Sequence, residues 1–165
     1  MNRRIGLRTL LFRSEPHIVS AAAAVAKNEN AGTFGGRFDV VLEDDKFGED
    51  SFEKAECKMF CTAAKRAVEK AGLRLPHVRA MLAGDLLNQL ITANYAAREL
   101  GIPYLGLYGA CSTMAESLLL GSMFVDGGYC SPVLCCASSH FQPRNANTAF
   151  RLRWARPPRR PRSAR

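Results

Sequence analysis

The sequence lacks any run of about 18 consecutive apolar residues, the length that a membrane-spanning helix needs. Its first residues are basic, but Arg8 and Arg13 interrupt an apolar stretch that is too short for a signal peptide. These absences argue against a multispanning membrane protein and against a secreted one. We therefore predict that the chain is cytoplasmic.

C-x2-C pairs are also missing from the six cysteines. Cys57 and Cys61 lie one helical turn apart, and Cys135 and Cys136 are adjacent, so neither pair has the spacing typical of zinc sites. Cysteines of a cytosolic chain are generally reduced. The spacing therefore predicts neither disulfides nor a metal site.

Acidic residues are absent from the last 24 positions, which hold eight of the 23 basic residues. The rest of the chain is balanced, with 15 basic and 15 acidic residues. Residues 142–165 join Arg to Pro without an apolar period, which predicts a disordered tail. A basic arm for RNA or an anionic surface is one interpretation. Because no aromatic platform or recognisable nucleic-acid-binding fold accompanies the arginines, we predict no nucleic-acid partner.

The body has the composition of a soluble globular domain, with 47% hydrophobic and 23% charged residues. Extended segments at residues 8–13 and 17–25 precede a Gly- and charge-rich loop over residues 27–50. Asp50 and Glu53 form a predicted capping box for a helix that Gly72 ends.

Strands and helices then alternate. The pattern predicts strands over residues 77–84, 102–109 and 131–140, and helices over residues 85–100 and 111–128. Alternation of this length indicates parallel βαβ units in a layered α/β fold.

Polar side chains follow all three predicted strands. Ligands of open parallel sheets bind at the carboxyl ends of the strands, so we interpret these segments as one site. The candidate ligand-binding residues are Asp85, Asn88, Gln89, Cys111, Ser112, Glu116 and His140.

Cys111 is the candidate with the most chemistry, because it follows Gly109-Ala110 at the start of a predicted helix. Helix-start amides favour a thiolate or a bound carboxylate there and lower the pKa of a thiol. Cys111 is then a nucleophile, a ligand-binding residue or a small packed side chain. As a nucleophile it needs a base, for which His140 is the credible imidazole. Asp85 also has an alternative role as the N-cap of the next helix.

The segments "MLAGDLLNQ", "TANYAARELGIPYLGLYGACST", "FVDGGY" and "ASSH" resemble the stage V sporulation protein AD family, which is thiolase-like. The resemblance covers residues 15–141. It implies a thiolase fold, an internally duplicated layered α/β structure, with residues 1–141 as its N-terminal half-domain. It also implies that Cys111 lies where thiolases carry their acyl-accepting cysteine, while the catalytic histidines come from the second half.

The same resemblance implies binding of dipicolinic acid, alone or as its calcium chelate, for uptake into the forespore. Implied partners are other stage V sporulation A proteins, with peripheral membrane association through them near the inner membrane of the spore. A homodimer is expected for the full-length protein, and no cofactor. The alternative function is a thiolase-like acyltransferase that uses Cys111 as its catalytic nucleophile and acyl-CoA as its donor.

The resemblance stops after Phe141, which suggests a shifted reading frame. Family members continue with a string that begins Ala-Glu-Arg-Gln-Tyr-Arg. In a shifted reading frame, each new codon consists of the third base of one residue's codon and the first two bases of the next. Over residues 143–149, such codons can encode this string in order. We therefore expect a frameshifted, truncated product, and the coding DNA decides between this and a genuine basic arm.

Overall fold

A computed structural model describes residues 3–86 and 90–139 of the chain. The predicted site residues Asn88, Gln89 and His140 lie outside the described residues, as does the predicted tail over residues 142–165.

The N-terminal part contains more secondary structure than the sequence predicts. An antiparallel pair is formed by β1 (Arg4–Ile5) and β2 (Thr9–Leu10), and β3 (Ala24–Val25) pairs in parallel with a later strand. That later strand is β4 (Val40–Val41), and a one-turn helix, α1 (Lys27–Asn30), lies between them. Residues 27–50 are therefore not a loop throughout. The two-residue strands depend on partners that a local pattern does not reveal.

The first long helix, α2 (Phe52–Lys70), begins one residue later than the predicted cap implies. Its N-cap is Ser51, whose hydroxyl accepts a hydrogen bond from the Lys54 amide at 3.3 Å. Asp50 forms an exposed ion pair with the Lys54 ammonium instead. The predicted cap at Asp50 is therefore wrong. Gly72 ends the helix as predicted, with a left-handed φ of 70°.

The central element is a parallel three-stranded sheet. It comprises β5 (Ala80–Asp85), β6 (Tyr104–Gly106) and β7 (Val133–Ser138), with β5 in the middle. The connecting helices are α3 (Ile91–Leu100) after β5 and α4 (Thr113–Asp126) after β6. This arrangement confirms the predicted α/β class with parallel βαβ units.

Side chains of β5 alternate between two layers. Met81 and Ala83 lie in a core cluster with residues of α2 and α3. Leu82 faces the other way, where Gly121 of α4 lies beside it. Met81, Leu82 and Ala83 are all 0% exposed, so the strand is buried on both faces, as expected for a parallel sheet covered by helices.

The predicted boundaries on either side of β5 are wrong for local reasons. The strand begins at Ala80 rather than at residue 77, because Leu75–His77 forms a 3-10 turn. The next helix begins at Ile91 rather than at residue 85, because β5 continues through Asp85, which pairs in register with Ser138. Within residues 3–86 and 90–139, no helix combines the length and the hydropathy needed to cross a membrane.

Candidate ligand site at the carboxyl edge of the sheet

The carboxyl ends of the three strands meet at one edge, as the sequence predicts. Asp85 and Ser138 end β5 and β7 and are register partners. On the other side of β5, the Leu107 amide donates to the Ala83 carbonyl at 2.8 Å, so the segment after β6 stays beside β5. The start of α4 therefore lies at this edge too.

Asp85 is 5% exposed and holds the backbone of the following loop. One of its carboxylate oxygens accepts a hydrogen bond from the Leu90 amide at 2.6 Å. Leu90 has a left-handed φ of 55° and directly precedes α3. The N-cap of α3 is Leu90, so the predicted N-cap role of Asp85 is wrong. Asp85 instead accepts the buried amide of that N-cap residue, which needs an acceptor.

Cys111 is exposed and lies in a 3-10 turn, Ala110–Ser112, that leads into α4. Ala110 has a left-handed φ of 46°, which is unusual for a residue with a side chain. Conformations of this kind cost about 1–3 kcal/mol and cluster at functional sites. The sharp turn places the thiol at the surface at the start of α4.

Three polar atoms converge on the space above the α-carbon of Gly109. A β-carbon at this position would lie 2.5 Å from a Glu116 carboxylate oxygen, 2.8 Å from the Ser112 hydroxyl and 2.9 Å from the Thr113 amide nitrogen. Ser112 does not cap α4 with its side chain and donates to the Gly109 carbonyl instead. Glycine is required here because any side chain would displace these groups.

Thr113 is a buried residue of this edge that the sequence analysis missed. It is 1% exposed, and its hydroxyl oxygen has no hydrogen-bond partner in the described part of the chain. Its methyl group lies 3.1 Å from the position of a β-carbon on Gly84. A buried hydroxyl without a partner is costly in native proteins. A threonine in a helical pattern carries no such signal in sequence.

Tyr104 is a second residue that the pattern did not single out. Its hydroxyl donates to the Ala83 carbonyl at 3.3 Å and lies 3.1 Å from a β-carbon position on Gly106. Burial raises the pKa of Tyr104 to about 12, with smaller contributions from Tyr108 and Asp85. The ring therefore packs at the carboxyl edge with its hydroxyl neutral.

Replacement of Tyr104 by Phe should reduce the loss of unfolding free energy at alkaline pH. Because the folded pKa exceeds the unfolded value of 10.0, the neutral hydroxyl stabilises the fold below pH 10 and this contribution is lost as the pH rises toward 12. The parent should lose up to about 2 kcal/mol more than Tyr104→Phe between about pH 9 and about pH 11.5 in urea unfolding. If the parent and Tyr104→Phe lose the same unfolding free energy over this pH range, the neutral Tyr104 hydroxyl of the folded state is contradicted.

Ser138 lies in a strand-end segment that the sequence assigns to the site, but its contact with α2 is not predicted. Its hydroxyl donates to a carboxylate oxygen of Glu56 at 2.6 Å, which joins the end of β7 to α2. Glu56 belongs to a helix that the sequence assigns only to packing, so no local signal connects it with the strand ends. The contact fixes the α2 side of the candidate site.

An apolar groove of about 490 Å³ lies away from this edge. It runs between residues 14–22, α2, α4 and β7, and none of the predicted site residues that the structure describes lines it. Apolar grooves are common ligand sites. We nevertheless place the candidate site at the strand ends, because the polar groups that would orient a charged ligand converge there.

Comparisons with known proteins identify the family. The sequence model of the family Stage V sporulation protein AD (SpoVAD) matches residues 6–165, a range that extends beyond residues 15–141 at both ends. The chain is 38% identical over 135 residues to Stage V sporulation protein AD from Bacillus subtilis (strain 168), covering 82% of this chain and 40% of that protein. The chain thus spans less than half the length of this relative.

Among solved structures, 3-oxoacyl-[acyl-carrier-protein] synthase III from Aquifex aeolicus VF5 is similar to part of the chain, with 24% identity and a TM-score of 0.43. The likeness covers 47% of this chain and 27% of that protein. The family assignment rests on the sequence matches alone. Since the family model covers nearly the whole chain, this protein belongs to the Stage V sporulation protein AD family.

Proposed function

We propose that this chain contributes a binding site for dipicolinate to a sporulation protein, at the carboxyl edge of its sheet. The observation that carries the proposal is the convergence of Glu116, Ser112 and the Thr113 amide above Gly109, next to the exposed Cys111. A pyridine dicarboxylate needs hydrogen-bond donors for its oxygens. The Ser112 hydroxyl, which donates to the Gly109 carbonyl in the free chain, is the donor for a ligand here, because the Thr113 amide donates to the Ala110 carbonyl.

The charges at the edge favour the calcium chelate as the ligand. Dipicolinate is a dianion at neutral pH, and a carboxylate such as Glu116 repels it. A calcium ion in the chelate reverses this interaction, because carboxylate oxygens are preferred calcium ligands.

Isothermal titration calorimetry tests this proposal. The protein is a hybrid in which this chain is joined to the remaining length of the Bacillus subtilis relative, and dipicolinate is added with and without calcium. We expect saturable binding that is at least about 10-fold tighter with calcium. Gly109→Ala should abolish the binding, because the new methyl group would occupy the space where the three polar atoms converge.

A matched pair of cysteine variants supplies the control. Cys111→Ala should weaken binding, whereas Cys130→Ala should not, because Cys130 precedes β7 and so lies at the opposite end of that strand. Absence of saturable binding would refute the proposal. So would binding that Gly109→Ala leaves unchanged.

The exposure of Cys111 at the start of α4 also favours the second candidate function, a thiolase-like acyltransferase. In that reaction the thiolate would attack an acyl-CoA thioester, form an enzyme thioester and release free CoA. Intact-mass measurement after incubation with acyl-CoA separates the two functions. An adduct that is lost in Cys111→Ser favours the enzyme, and its absence favours the binding protein.

A further inference from the structure

A second cluster of reactive side chains lies away from the strand ends, between α2 and α3. Cys57 and Cys61 occupy successive turns of α2, and Glu99 of α3 joins them. Their two sulfur atoms and one carboxylate oxygen all lie within 4.8 Å of one another. No spacing along the chain connects Glu99 with the cysteines, because the third ligand comes from another helix.

We propose that Cys57, Cys61 and Glu99 bind a thiophilic divalent cation of the zinc class. Thiolates favour such metals over magnesium and calcium, and a carboxylate is a common additional ligand. In a tetrahedral zinc site, sulfur ligands are separated by roughly 3.8 Å, as follows from bond lengths of about 2.3 Å. The cluster therefore needs only small rotamer changes to close around an ion.

The surroundings of the cluster suit a cation with one open coordination position. Cys61 is 2% exposed, whereas the side chain of Glu99 is 51% exposed, so the site is closed on the core side and open to water on the other. A water molecule would complete a tetrahedron.

Charge balance is also favourable. Two thiolates and one carboxylate around a divalent ion leave one negative charge. Lys65, whose ammonium lies 2.7 Å from a Glu99 carboxylate oxygen, neutralises it. Binding would release two thiol protons to the solvent.

Titration of the reduced full chain with Zn²⁺, and with Co²⁺ as a spectroscopic probe, tests the proposal. We expect one ion per chain, a sulfur-to-cobalt charge-transfer band, and a loss of affinity of at least about 10-fold in Cys57→Ser and in Cys61→Ser. Cys130→Ser, a thiol outside the cluster, should bind as the parent does.

Glu99→Gln keeps the proposal testable if a cysteine variant fails to fold, because Glu99 is exposed. It should weaken Zn²⁺ binding by about 10-fold. Lys65→Gln breaks the same ion pair without removing a ligand and should weaken the binding less than Glu99→Gln does. The proposal is overturned if the chain binds no Zn²⁺, or if affinity falls equally in Glu99→Gln and Lys65→Gln.

Discussion

Gly84→Ala should destabilise the protein by more than about 3 kcal/mol, or abolish its cooperative unfolding transition. A β-carbon at residue 84 would lie 2.2 Å from the Leu107 carbonyl oxygen and 3.1 Å from the Thr113 methyl group. The first neighbour is backbone, held in place by the hydrogen bond from the Leu107 amide to Ala83. The added methyl group therefore forces β5, the segment after β6 and the start of α4 apart.

Gly36→Ala is the matched control. Nothing lies within 4 Å of a β-carbon at residue 36, although its φ is 76°. This substitution should therefore cost only the strain of a left-handed alanine, about 1 kcal/mol. Urea unfolding of both variants measures the difference. A smaller loss of unfolding free energy in Gly84→Ala than in Gly36→Ala would show that the close approach of the Leu107 carbonyl to Gly84 is wrong.

Asp85→Ala should cost about 2–3 kcal/mol of unfolding free energy, even without any ligand. The buried carboxylate accepts the Leu90 amide, and its removal leaves that donor unpaired in a residue that is 5% exposed. The contact between the end of β5 and the residue before α3 would be lost. Chemical unfolding of the ligand-free protein measures the loss.

Asp85→Asn separates the hydrogen bond from the charge. The amide oxygen of asparagine still accepts from Leu90, so this variant should recover most of the lost stability. If it then fails to bind the calcium chelate, the charge of Asp85 serves the ligand as well as the loop. Full stability of Asp85→Ala would contradict the helix-start role of this residue.

The sequence predicts the central sheet well, because the signals for its strands and helices lie within each segment of the chain. Buried strands, Gly-terminated helices and their alternation specify parallel βαβ units, and the strand ends then share an edge. The residues at which strands and helices begin and end are less predictable than the strands and helices themselves. An aspartate at residue 85 suggests the start of a helix, because aspartate is a common N-cap residue. The pairing of Asp85 with Ser138 nevertheless extends β5 through this position.

The parts of the site that escaped prediction depend on tertiary contacts. The positions of Thr113, Tyr104 and Glu56 follow from how α4, β6 and α2 pack against β5 and β7, which no spacing along the chain records. The cluster of Cys57 and Cys61 with Glu99 has the same origin, since helix packing supplies its third ligand. Sequence reasoning found Cys111 because a thiol directly after Gly-Ala at a helix start is a local pattern.

Alkylation of individual cysteines in the presence of dipicolinate tests the proposed binding site most directly. Cys111 is exposed in the free chain and should react readily with iodoacetamide, as read by peptide mass mapping. Saturating calcium dipicolinate should slow alkylation of Cys111 by at least about 10-fold, through occlusion by a ligand bound at the start of α4. Cys130, which precedes β7, should react at an unchanged rate. Equal rates at Cys111 with and without the ligand, in a protein that binds it, would place the dipicolinate site elsewhere.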